Sequence, residues 1–361
     1  IVEEKQKKRK NILLKSIIII LIGVMLLFSK KENQEKIIDF IKASKITNKT
    51  LKVVESIPIE KKIDDISFYE KGIMIWRDKK LTRLKMDGSK EWEKQFNLDE
   101  PDVKFGENNI YVYEKSTGDI YFLNGAGETI HRVELRTSID NMIESVGNIL
   151  VHIKNSDREG ISILDKTGKT IGDTLIKDGN VLTYCMGQDN ITYAISTLNL
   201  KGKDLKSKIQ GFRIGEESLF TTEFNNEIVL YSKFIKNDKL IVMTDKSLYF
   251  LNKGNILWEK QFQLIKDIYV DKEKINILYG NTLETISIDG RAEEKYSFTE
   301  EYKKIIPYDK YLILYGDEYI MGLIDGKKVF KYKSEETILE IVERKQNLIV
   351  TYKDKIQLMS L

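Results

Sequence analysis

The sequence predicts an all-β fold, a β-propeller of four-stranded blades, on three observations. A glycine-centred hairpin recurs along the chain, the segments flanking it read as short strands, and the interval between hairpins is the length of one blade. Residues 81–96 read LTRLKMDGSKEWEKQF and residues 247–262 read SLYFLNKGNILWEKQF, two hairpins that end in the same five letters.

Taken from the N-terminus, the chain does not begin as a propeller. Residues 1–11 carry Lys5, Lys7, Lys8, Arg9 and Lys10, and an apolar run follows from Ile12 to Phe28, interrupted only by Lys15. That run is about the minimum for a bilayer span. Its apolar residues each favour insertion by roughly 0.3–0.6 kcal/mol, against at most about 3 kcal/mol for Lys15, which can snorkel from near a helix end. Residues 12–29 are therefore expected to be a transmembrane signal anchor. The competing reading is a cleaved signal peptide, since Ile17 to Phe28 has the length of its apolar core. Ser29, Lys30, Lys31 and Glu32 follow without a small-x-small cleavage site. The heavier positive charge before the span predicts residues 1–11 as a cytoplasmic tail and everything after the span as extracytoplasmic. Residues 30–50 read as a stalk, with Ile37, Ile38, Phe40 and Ile41 near one face of a short helix.

From residue 51 to 361 the texture is that of strands rich in Ile, Tyr, Val, Phe and Leu, separated by Gly, Asn, Asp and Lys turns. The turn glycines are Gly88, Gly127, Gly168, Gly215, Gly254, Gly290 and Gly326, at intervals of 39, 41, 47, 39, 36 and 36 residues. A tight hairpin demands positive φ, which glycine adopts without strain. The strand before each turn alternates, as at Tyr249 and Leu251 or Ile161 and Ile163, which predicts one face buried on the neighbouring blade. After Gly326 and the strand that follows it, three further strand-like pieces remain, and the chain then stops one strand short of a blade. Residues 51–59 supply a lone strand at the other end. Pairing the two makes eight blades and closes the ring, which removes exposed sheet edges. Seven is the alternative count.

The bulk composition is that of a globular chain with a sizeable core: 41% hydrophobic, 10% aromatic, and 59 basic against 56 acidic residues. The charges are interspersed, which argues against a nucleic-acid partner. Cys185, the only cysteine, excludes an intrachain disulfide and reads as a buried core residue. The two histidines, His131 and His152, have no metal-ligand spacing and read as strand or turn residues. No nucleophile elbow, phosphate loop or dinucleotide fingerprint is present. Asp99, Glu100 and Asp102 lack the ligand pattern of a calcium loop and read as a solvated connection between blades. Asn48-Lys49-Thr50 and Asn190-Ile191-Thr192 read as chance matches to the glycosylation pattern. Trp92 and Trp258, at equivalent places in two hairpins, read as packing between blades.

One interval is long. Residues 198–208, LNLKGKDLKSK, carry Lys201, Lys203, Lys206 and Lys208 and read as a loop between the second and third strands of the fourth unit. A basic loop of this kind is a candidate contact for an anionic envelope polymer or protein partner, set against an idle solvated hairpin.

The third unit, ILDKTGKTI, resembles the repeat of the PQQ-like, or quinoprotein-type, and WD40-like β-propellers: a strand ending in Asp, a turn with Gly-Lys, then an aromatic position. Trp92 and Trp258 fill that position, and Ile130, Ile171, Leu219 and Phe330 stand there in other units. The anchor followed by degenerate glycine-turn repeats resembles the membrane-anchored DUF5711-type family of Clostridia and relatives. Quinoprotein dehydrogenases hold their quinone with an adjacent-cysteine disulfide, calcium ligands and a floor tryptophan. A single cysteine cannot form that disulfide, so no quinone cofactor is expected, and without a catalytic or metal-ligand motif no catalytic residue or metal site is expected either. The resemblance implies a non-catalytic binding or scaffolding module at the cell envelope, with a protein or polymer partner. A glycan-active enzyme using channel carboxylates is the alternative, and a membrane sensor the third reading.

Overall fold

In the computed structural model, which describes residues 49–200, 204–345 and 347–361, the chain is all strand and turn. Its 32 strands form eight four-stranded antiparallel sheets. Blades 1 to 7 occupy residues 65–95, 101–134, 139–176, 180–225, 229–261, 265–297 and 304–333, each in simple meander order. Blade 8 combines Glu340–Arg344, Asn347–Thr351 and Lys355–Ser360 with Lys52–Pro58 from the beginning of the propeller. The expected eight blades and N-terminal closing strand are therefore present. The expected anchor and stalk fall on residues 1–48, outside the described residues.

The closing strand pairs antiparallel with the last strand, from Lys52 opposite Ser360 to Pro58 opposite Lys355, around a bulge between Val53 and Glu55. Pro58 sits at the strand end, where its missing N–H costs no ladder bond. Ile57 is 8% exposed and joins Ile63, Ile66, Ile73, Ile349, Ile356 and Leu358 in one apolar cluster. That cluster draws on both ends of the propeller sequence and fills the seam between blades 8 and 1. The arrangement also explains why eight blades carry only seven turn glycines. The third and fourth strands of blade 8 come from opposite ends of the propeller sequence, so no hairpin joins them.

The second strand of each blade is buried on both sides, as in Gly72–Arg77, and so are third strands such as Glu159–Asp165 and Ser247–Asn252, because every blade is sandwiched between two others. This corrects the single buried face read from Tyr249, Leu251, Ile161 and Ile163. Alternation survives in the outer strands, such as Asn255–Gln261 and Ala292–Ser297, where one side meets solvent.

Antiparallel order sorts the connections. First-to-second and third-to-fourth turns emerge on one face, here the turn face. Second-to-third turns and the crossovers between blades emerge on the other, the loop face. Lys52 opposite Ser360 puts both ends of the propeller sequence on the turn face. Lys253 and Gly254, at φ 48° and 81°, and Asp325 and Gly326, at 45° and 67°, form two-residue turns with positive φ at both positions.

Candidate binding surfaces

The repeated glycine has a second cause besides φ. A Cβ on Gly127 would lie 2.9 Å from the Trp92 ring, and one on Gly290 would lie 3.1 Å from Trp258. The outer strands of blades 1 and 5 thus cover the turn glycine of the next blade. The indoles are fixed there, since Trp92 Nε1 donates to Gly125 O at 3.2 Å and Trp258 Nε1 to Ile288 O at 3.0 Å. Strand register identifies the same position elsewhere: His131 opposite Phe122, Gly172 opposite Ile163, Phe220 opposite Gly211, Glu294 opposite Thr285 and Phe330 opposite Gly322.

This corrects three assignments by one residue. Ile130 and Leu219 are exposed on the outer strands at 56% and 46%, and Ile171 precedes Gly172. A bulge just before the position shifts the pleat. Counting four residues from the turn glycine, or five after the longer turn at Gly215, finds it in sequence. His131 and Phe220 then act as the tryptophans do, covering Gly168 and Gly254. At blade 3 no side chain is available, and Ile214 of blade 4 packs against Gly172 instead.

Blade 6 breaks the rule with a charge. Glu294 stands where blades 1 and 5 carry tryptophan, and its carboxylate meets Gly326. A glutamate fills less of the seam than an indole, and a groove opens on the turn face between blades 6 and 7. Its inner part, ≈ 220 Å³, is lined by Tyr269, Asn276, Asp309 and Tyr311 among others. An outer part of ≈ 340 Å³ shares Thr285, Glu294 and Asp325 with it and continues to Tyr296 and Lys327. Asn276 is 8% exposed; its Oδ1 accepts the Thr285 hydroxyl at 2.8 Å, and its NH₂ has no protein partner among the described residues.

A second feature lies on the inner strands, near their loop-face ends. Asp65, Asp102, Asp267 and Glu340 occupy one equivalent position, immediately before a buried aliphatic residue, in blades 1, 2, 6 and 8. Asp102 is paired with Lys115 at 2.9 Å, and Asp267 accepts the Ile305 amide at 2.8 Å. Burial raises the Asp65 carboxyl above its ordinary value, offset in part by the Ile66 amide and Lys104, with Asp102 adding to the rise. Burial likewise raises Glu340, helped by the Asp65 charge, and raises Asp267 and Glu343.

The long fourth unit differs from expectation. Thr192–Asn199 and Lys206–Arg213 are eight-residue strands paired as far as Asn199 opposite Lys206. Much of the extra length therefore extends the hairpin, because continued pairing satisfies backbone groups that a loop would leave to water. Lys206 is an exposed strand residue and Lys208 a half-buried one; Lys201 and Lys203 lie outside the described residues. The acidic connection at 99–102 is organised by Glu114, a 3%-exposed carboxylate that accepts the Asp99 and Glu100 amides at 2.7 and 2.8 Å. His152 is buried with Nδ1 3.1 Å from Asp140 and Nε2 2.9 Å from Glu159, a seam between blades 3 and 4 to which the Val181 amide also contributes. Cys185 is half-buried rather than a core residue; its thiol accepts from the Ser232 hydroxyl at 3.4 Å and is pushed up to about 11 by desolvation.

These features define the class: a closed eight-bladed β-propeller. The chain belongs to a family of unknown function, DUF5711, whose model matches residues 44–361. No curated protein matches the sequence. Among solved structures, BamB from Moraxella catarrhalis aligns at TM-score 0.59 and 12% identity, over 86% of this chain and 100% of that one. The C-terminal WD40 domain of Sif2 aligns at 0.64 and 12%, over 87% and 99%. Sqt1 from Saccharomyces cerevisiae aligns at 0.65 and 9%, also over 87% and 99%. At these identities the likeness is one of fold.

Proposed function

We propose that this chain is a membrane-anchored, extracytoplasmic propeller that binds or scaffolds a protein or polymer partner at the cell envelope, without catalysis. The observation that carries the reading is the closed ring of blades with both ends of its sequence on the turn face. Closure leaves two loop-bearing faces on a rigid support, which suits recognition. The anchor is argued from residues 12–29 and the basic tail before them. The propeller strands begin at Lys52 and end at Ser360 on the turn face, so neither end lies on the loop face. That face bears the inner carboxylates and the Lys206 end of the long hairpin, with Lys201, Lys203 and Lys208 beside it in sequence, as a contact for an anionic partner. Crosslinking in intact cells, followed by identification of what is bound, tests the reading. Recovery of a defined envelope protein or polymer is expected; recovery of the bait alone contradicts it.

The inner carboxylates support a second reading, a glycan-active enzyme. Raised Asp65 and Glu340 carboxyls beside Asp102, which is paired with Lys115, are the kind of unequal environments that acid and base roles require. Release of reducing ends from cell-wall glycan, abolished by Asp65→Asn and Glu340→Gln, would establish it.

A further inference from the structure

We infer that the groove between blades 6 and 7 is a sugar-ring subsite, selective for neutral or amine-bearing residues of a glycan chain and closed to acidic ones. The inference rests on the reading of the chain as an envelope-binding module and names a ligand for it.

The groove lies where the seam position carries a carboxylate. Where Trp92 and Trp258 fill their seams and donate to the next blade's backbone, Glu294 leaves volume and a carboxylate. A seam unfilled by apolar surface forgoes packing that every comparable tryptophan supplies, so Glu294 is costly to the fold unless something else occupies the space.

The lining specifies the occupant. In the inner part Asp271, Glu294, Asp309 and Asp325 face two lysines, Lys274 and Lys310, and Lys274 is already held by Glu293 at 3.1 Å; Lys295 and Lys327 line only the outer part. An anionic ring seated in the inner part would meet net repulsion there, whereas hydroxyl or ammonium donors find acceptors. Asn276 supplies the complementary donor: a nine-tenths-buried amide with its NH₂ unclaimed by protein. That donor is open to the groove, where a ligand oxygen can accept from it. Tyr269 and Tyr311 add aromatic surface of the kind that packs on the C–H face of a sugar. The inner part is smaller than a drug-sized site and suits a single ring. Its continuation past Glu294 and Asp325 toward Tyr296 gives a chain room to extend outward along the seam.

The test uses the full chain in detergent and three probes of equal length: the trimers of N-acetylglucosamine, glucosamine and galacturonic acid. The glucosamine trimer is expected to bind tightest, the N-acetylglucosamine trimer next and the galacturonate trimer not measurably. Glu294→Gln, which keeps the shape and removes the charge, is expected to weaken glucosamine-trimer binding about tenfold, the loss of one charge-assisted hydrogen bond. Glu294→Trp, which restores the residue of blades 1 and 5, is expected to abolish binding of every trimer without lowering the melting temperature. Should Glu294→Trp fail to fold, Glu294→Gln and Asp325→Asn decide the matter. Galacturonate binding as tight as glucosamine, or no trimer binding to the wild-type chain, or binding unchanged in both folded Glu294 variants, would overturn the inference. Because the assay is done on isolated protein, its failure leaves the in-cell crosslinking result to judge the broader function separately.

Discussion

Replacing Ile57 by Ala tests whether the closing strand supports the whole ring. Ile57 is 8% exposed, packs in the cluster that joins blade 8 to blade 1, and its Cγ1 would lie 2.7 Å from a Cβ on Gly88. The substitution removes three carbons from a filled seam, and the neighbouring Ile66 and Leu84 are held by their own strands. A loss of about 3 kcal/mol is expected, in the middle of the range for such truncations. An unfolding entropy of about 2.1 cal/mol/K per residue over Thr50–Leu361 gives roughly 0.65 kcal/mol/K, so the midpoint should fall by about 4–5 °C. Thermal unfolding followed by near-ultraviolet circular dichroism measures it, with Ile130→Ala as reference, since Ile130 is 56% exposed on the outer strand of blade 2. The reference should change by less than about 1 °C. Deleting residues before Ile59 should cost far more and broaden the transition. If Ile57→Ala matched Ile130→Ala, or the deletion melted as the full chain does, closure by the N-terminal strand would be wrong.

Three further outcomes follow from the same geometry. Trp258→Ala should cost about 3–5 kcal/mol through lost burial and the lost indole bond to Ile288 O, while Leu219→Ala should stay within about 0.5 kcal/mol; chemical denaturation midpoints compare them. Gly127→Ala and Gly215→Ala share φ near 80° and its penalty of about 1–2 kcal/mol, but only the first presses a Cβ on the Trp92 ring; the first should be clearly the less stable in the same assay. Asp65 and Glu340 have raised folded-state pKa values, so the folded protein takes up their protons before the unfolded chain does. Their ionisation cost is fully present above the raised values and is relieved as pH falls toward the ordinary 3.8 and 4.5. The Asp65→Asn, Glu340→Gln variant should therefore be more stable than wild type at pH 7, with the difference shrinking on acidification. A difference that grew on acidification would reverse the assignment.

Architecture was legible because its causes are local. A turn that needs positive φ selects glycine whatever surrounds it, so Gly88 to Gly326 mark the hairpins in the sequence. The leftover strands at the two ends revealed the closing blade, since an unpaired edge has one partner available. The seam residues were harder. Their identity depends on a bulge that shifts the pleat by one, which made Ile130 stand for His131 and Leu219 for Phe220. Glu294 carried a signal in principle, four residues after Gly290 where a tryptophan follows Gly254 by the same distance. As one glutamate among many it looked like solvated surface. The inner carboxylates and the unpaired amide of Asn276 could not be found from spacing, because the closed ring alone brings blades 1, 2, 6 and 8 around one axis. The bounds of the fourth unit's hairpin were hidden for a related reason: a long interval can lengthen strands as readily as a loop.

Amide hydrogen exchange of the full chain, with and without glucosamine trimer, tests most directly the claim that this propeller binds where its repeat breaks. Protection is predicted in Ala292–Ser297 and in the turns at Asp309 and Asp325, with blades 1 to 4 unchanged. Protection confined to Lys206–Arg213, or none at the seam of blades 6 and 7, would contradict it.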